Sequence, residues 1–176
     1  MARRNDSLRR RRPFREVKRR ILIVCEGIVT ERHYFNDLRI QTKSLVELQI
    51  DPGGDPKTLV ERAVEVDEHP YLPEARQQAR DNGIKVAVSN PCFELWALLH
   101  FQDQHRHIER NEVQRLCREH MPRYEKRLSC ETLLERYDNA LRRATELEHW
   151  HETRGTDGYN PSTGVHRLTE EIMREA

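Results

Sequence analysis

Two carboxylates are placed where an acid has something to do. Glu26 directly follows an unbroken apolar run, Ile21 to Cys25, and is itself followed by Gly27. A β-branched run of this kind predicts a strand buried on both faces. An ionisable group set straight after such a strand is costly unless it serves a ligand. In open α/β sheets ligands sit beyond the carboxyl ends of the strands, and Gly27 lets the backbone approach one closely. Glu26 is therefore placed to meet a ligand, the bland alternative being a solvated strand end. Thr30 reads as the N-cap of the helix that follows, with Glu31 in its first turn and Tyr34, Phe35 and Leu38 on one face. The second acid is Glu94, inside the stretch Pro91 to Phe101, which is apolar almost all round. It is either part of a narrow polar face shared with Gln102 or a paired, ligand-facing carboxylate at a strand end, beside Asn90.

Other reactive side chains point less far. His100, His105 and His107 cluster without a matching set of acids or cysteines, so they read as surface or helix-end histidines. Ser89 lacks the G-x-S-x-G context of a hydrolase nucleophile. Phe93 and Trp96 have core spacing. Four cysteines, Cys25, Cys92, Cys117 and Cys130, form no C-x-x-C pair, which fits reduced thiols in a cytoplasmic protein.

These groups need elements to hold them. Strands are predicted at 20–25, 45–50 and 84–89, and helices at 30–40, from Asp55-Pro56 onward, at 73–81 and at 91–101. Two helices in succession between the second and third strands are irregular for a parallel sheet. From residue 109 the pattern is helical: 109–121, 130–151, and a last helix opened by Asn160-Pro161-Ser162-Thr163 with Val165, Leu168, Ile172 and Met173 on one face. No apolar stretch is long enough to span a membrane, and no h-region follows the basic start.

Charge is uneven. Residues 1–20 carry ten Lys or Arg against Asp6 and Glu16, a balance of +8, so the other 156 residues carry −7 within a net +1. Arg9, Arg10, Arg11, Arg12, Arg15, Arg19 and Arg20 suit phosphate contacts. The alternative is a disordered solubilising tail.

E-G-x-x-T-E-x-x-Y-F at Glu26 to Phe35 and S-N-P-C-F-E-L-W-x-L-L-H-F at Ser89 to Phe101 together resemble the RloB-like family, found near bacterial restriction and phage-defence loci. Asn160-Pro161-Ser162-Thr163 with Val165 to Leu168 is similar to its C-terminal signature, and Gly53 to Pro56 with Leu59-Val60 to its loop and helix. The resemblance spans about residues 20 to 173. The family looks related to Toprim-type domains, which implies a parallel sheet and a divalent-metal site for phosphodiester chemistry. It also implies a Glu after the first strand and a D-x-D pair after a later one. Glu26 matches the Glu. Val64-Glu65-Val66-Asp67 stands where the apolar strand and D-x-D are expected; Asp67 matches the second Asp, and the strand with its first Asp looks deleted.

The resulting expectation is an α/β fold. It has a short, mostly parallel Toprim-like sheet flanked by helices, built as a basic arm (1–19), an α/β core (20–108) and a helical C-terminal region (109–176). The function expected is a Mg2+- or Mn2+-dependent nuclease of phage defence. Glu26 and Asp67 would hold the metal, and Gly27, Thr30, Glu31, Asn90 and Glu94 would line the pocket. Its partners would be nucleic acid and other defence-locus proteins. The alternative is an internally deleted, non-catalytic module that binds nucleic acid or protein through the arm.

Overall fold

The computed structural model describes residues 20–25, 29–52, 85, 87–122, 124 and 127–174. The arm at 1–19, Glu26, Gly27, the loop and helix at 53–60, Asp67 and the helix at 73–81 lie outside them.

β1 (Arg20–Cys25) runs into α1 (Thr30–Gln41), which returns the chain to β2 (Glu47–Pro52). The two strands pair in parallel along their whole length, from Arg20 opposite Glu47 to Cys25 opposite Pro52. Only a crossover connection can join neighbouring parallel strands, and α1 is that crossover. Its apolar stripe buries Tyr34, Phe35 and Leu38. Glu31 in its first turn and Arg39 in its last suit the helix dipole. The chain leaves α1 through Lys43, whose φ is 56°, a left-handed residue of the kind that closes helices.

Three expectations are corrected here. Thr30 is not the cap: it is the first helical residue, buried, and Val29 precedes it without a side-chain cap bond. β2 starts two residues later than predicted, because Leu45 is exposed while Ser44 and Val46 are buried. Ser44 Oγ is tied to the Ile172 carbonyl at 2.6 Å, which holds this stretch against the far end of the chain before the strand begins.

The third correction concerns the sheet. Among the described residues, 85, 87 and 88 are not strand. Only β3 (Ser89–Asn90) forms, and it pairs antiparallel with β4 (Ser162–Thr163). The described chain thus holds one parallel and one antiparallel two-stranded sheet among six helices. It is a mixed helix and sheet fold, and an extended parallel sheet is not what these residues form. Ser162–Thr163, expected to open the last helix, is instead the partner strand.

Helices supply most of the core. α2 (Glu94–Leu99) is buried at every position and packs against α3 (Arg110–His120) and α5 (Tyr137–Glu152). Arg143 on α5 donates to the Leu99 carbonyl at 2.8 Å, a cation set on the negative end of α2. α1 packs on α4 (Cys130–Leu134) and α6 (Val165–Met173). The helix predicted over 130–151 is broken at Glu135 and Arg136, where Arg136 leaves helical geometry. One apolar cluster runs from Ile23 through α2 to Ile172, so the C-terminal helices share a core with β1 and α1. Tyr34, Phe35 and Phe93 meet edge to face at 5.3–5.7 Å, and Trp96 Nε1 donates to Tyr34 Oη at 2.8 Å. Phe93 and Trp96 are core, as their spacing predicts.

Candidate functional site

The β3–β4 pair joins two Asn-Pro motifs that are distant in sequence. Ser89 lies opposite Thr163 and Asn90 opposite Ser162, and both the Asn90-Pro91 and Asn160-Pro161 bonds are cis. Ser89 Oγ and Thr163 Oγ1 share a hydrogen bond of 2.7 Å, so Ser89 is engaged and no free nucleophile. Gly164 N donates to the Val88 carbonyl at 2.8 Å. A β-carbon at Gly164 would meet the Arg167 guanidinium at 3.0 Å and the Ala87 backbone at 3.4 Å, so the turn packs closely here.

The second motif is braced from two sides. Asn160 uses both ends of its amide on one backbone residue: Nδ2 donates to the Ile108 carbonyl at 2.9 Å, and Oδ1 accepts from Ile108 N at 3.1 Å. His151 is buried between Pro161 and Thr156. A carbonyl only accepts, so Nε2 carries the proton donated to the Pro161 oxygen at 2.7 Å, and Nδ1 accepts from the Thr156 hydroxyl at 2.8 Å.

The first motif leads into a buried polar knot. Glu94, the first residue of α2, is buried and accepts from Tyr124 Oη at 2.6 Å. Cys117 Sγ donates to the Glu94 carbonyl at 3.5 Å. Burial, with the nearby Glu94 carboxyl adding to it, pushes the Cys92 thiol well above its ordinary range; burial pushes Cys117 up to about 12. The reading of Glu94 as a residue of a narrow surface face shared with Gln102 therefore gives way to that of a paired, buried carboxylate. Tyr124 follows a predicted helix end and carries no sequence signal for this role.

Two further histidines are set apart by burial. His100, predicted at the surface, is instead enclosed: Nδ1–H donates to the Trp96 carbonyl at 2.9 Å, and Nε2 is buried without a partner. Burial lowers its pKa to about 4. The correction has a plain cause, since the last turn of α2 is buried on every side and a residue there goes inward whatever its polarity. His105 and His107 are exposed, as predicted. His166 lies 3.3 Å from one oxygen of Glu148, whose other oxygen takes Arg167 at 2.9 Å. Burial holds His166 below its ordinary value against the pull of Glu148.

Of the predicted site residues, the described structure places Thr30 and Glu31 together in the first turn of α1, and Asn90 and Glu94 around the start of α2. The edge-to-face contacts of Tyr34 and Phe35 with Phe93 link these two places. Glu26, Gly27, Asp67 and the arginines from Arg9 to Arg19 lie outside the described residues, and Arg20 is known as the first residue of β1. Among the described residues no three His, Cys, Asp or Glu side chains gather to hold a metal ion. Ser162, Tyr124, His151 and Glu148 were missed. The repeat of Asn-Pro at 90–91 and 160–161 was the signal that could have linked Ser162 to Asn90. Among the described residues no helix is long and apolar enough to cross a membrane.

The family model described as RloB-like protein matches residues 64–172, well over half of the chain, so the chain belongs to that family. No curated protein and no solved structure matches it.

Proposed function

We propose that this RloB-like protein is a divalent-metal-dependent nuclease of the Toprim type, acting in bacterial phage defence. Glu26 serves as metal ligand or general base and Asp67 as second ligand. The donor set suits the ion: both residues offer hard carboxylate oxygens, which Mg2+ and Mn2+ prefer. A bound divalent ion supplies charge neutralisation at the phosphate and an activated water. Thr30, Glu31, Asn90 and Glu94 shape the surroundings of the first strand end.

The observation that carries the reading is the β1–α1–β2 unit. Its strands pair in parallel over six residues each, and the residue next in sequence after β1 is an acid. Beyond a strand's carboxyl end is where parallel sheets bind their ligands. The test is cleavage of labelled RNA and DNA by the purified full-length chain in Mg2+ or Mn2+. Wild type cuts and Glu26→Gln does not. Intact nucleic acid in every condition, or cutting that Glu26→Gln leaves unchanged, overturns it.

The +8 balance of residues 1–20 favours a second reading, a non-catalytic nucleic-acid or protein-binding module. Under it, deleting the arm abolishes binding while Glu26→Gln changes nothing.

A further inference from the structure

We infer that the loop between α5 and β4 grips an unpaired nucleic-acid strand, the Arg154 guanidinium meeting a phosphate and the Tyr159 ring stacking a base. The inference rests on the nucleic-acid reading above and adds that the substrate is single-stranded where the protein holds it.

Arg154 is exposed and sits over the half-buried Trp150 ring, its Cζ 4.3 Å from the centroid. Nη1 donates to the Trp150 carbonyl at 3.2 Å and to the Thr153 hydroxyl at 3.3 Å. The indole and these two oxygens hold in place a side chain that is otherwise rich in rotamers. Both bonds leave from Nη1, so the edge made by Nε and Nη2 stays open. That edge is the fork that meets a phosphate through two oxygens. Among the described residues no carboxylate pairs with Arg154, whereas Arg115, Arg142, Arg143 and Arg167 each hold an Asp or Glu.

Tyr159, on the same loop, is 67% exposed, yet its neighbours on both sides are pinned. The Gly158 carbonyl accepts from Asn90 Nδ2 at 3.2 Å, and Asn160 holds the Ile108 backbone through both ends of its amide. Tyr159 N donates to the Thr156 carbonyl at 3.0 Å. The ring is thus presented to solvent on a fixed backbone, which lowers the ordering cost of binding. Arg154 and Tyr159 are five residues apart, a span of at most about 18 Å. Thr156 N turns the loop back onto the His151 carbonyl at 3.1 Å, which shortens it. A ligand that meets both carries negative charge and flat rings side by side. Asp157 is exposed between them and repels phosphate, so the backbone is met at Arg154 and a base at Tyr159. Paired bases are stacked on one another; only an unpaired strand offers a base face to the ring.

The experiment follows binding of the full-length chain to fluorescein-labelled single strands of RNA and of DNA, and to the DNA duplex, by anisotropy over a KCl series with Ca2+ in place of Mg2+. On the polymer that wild type binds, Tyr159→Ala weakens the single strand about tenfold and leaves the duplex unchanged, while Tyr159→Phe binds as wild type. Arg154→Gln makes the slope of log affinity on log salt shallower by about 0.7 for single strands. All variants are first checked for a wild-type melt. A Tyr159→Ala affinity equal to wild type, a loss that Tyr159→Phe shares, or an unchanged salt slope in Arg154→Gln overturns the site and leaves the nuclease reading standing. Wild type that grips single strands in this way but cuts none in Mg2+ or Mn2+ overturns the nuclease and keeps the site. Binding to no nucleic acid overturns both.

Discussion

Tyr124→Phe removes one oxygen atom and tests the buried knot at the start of α2. Tyr124 and Glu94 are both buried, and the hydroxyl donates to Glu94 Oε1 at 2.6 Å. A hydrogen bond to a carboxylate contributes roughly 1.5–3 kcal/mol when a buried acceptor is left without its donor. The benzyl ring stays, so no cavity arises and no packing is lost. For a chain of this length each kcal/mol moves the melting temperature by about 2–4 °C, so the variant should melt roughly 3–12 °C lower. Differential scanning calorimetry reads the shift, and urea unfolding checks that the slope is unchanged. A double-mutant cycle with Glu94→Leu, which removes the acceptor, isolates the pair, with an expected coupling of about 1 kcal/mol or more. A Tyr124→Phe melt within about 1 °C of wild type, or a coupling near zero, refutes the claim that Glu94 is held by this contact.

Leu98→Ala should cost about 2–5 kcal/mol, since Leu98 is fully buried on α2; chemical denaturation measures it. His100 gives an acid limb. Its pKa falls from the ordinary value to about 4 in the folded chain, so the unfolded chain binds the proton first, and stability declines as pH drops from about 6.5 to about 4. Between those values His100→Gln should lose less stability than wild type, measured by urea midpoints across pH. Cys117 and Cys130 are buried, with thiols pushed up to about 12. They should resist iodoacetamide at pH 8 until the chain unfolds, as peptide mass spectrometry will show.

Local patterns carried most of what was legible. β1 and α1 follow from an apolar β-branched run and a stripe of Tyr34, Phe35 and Leu38, interactions set within a few residues, and their bounds fall where predicted apart from the cap. α2 was legible as a buried helix for the same reason. What failed was non-local. Ser89–Asn90 finds its partner at Ser162–Thr163, and nothing within either stretch says so; the Ser, Thr and Asn side chains there read equally well as helix-opening residues. Residues 84–89 have a strand's composition, yet among the described ones only Ser89 joins a strand, because strand formation depends on a neighbour as much as on β-branching. His100 and Glu94 misled or stayed open because polarity suggests a surface, and a short helix packed by α3 and α5 has none. The site was half legible. Asn90 and Glu94 were named from position beside a strand end, while Ser162 and Tyr124 enter only through the fold.

The central claim is that Glu26 and Asp67 hold one divalent ion. Its most direct test is a Mn2+ titration of the full-length chain followed by electron paramagnetic resonance, which counts free ion. The account predicts one bound Mn2+ per wild-type chain, displaced by Mg2+ and lost in both Glu26→Gln and Asp67→Asn. A wild-type chain that leaves all Mn2+ free, or variants that bind it as wild type does, contradicts the account.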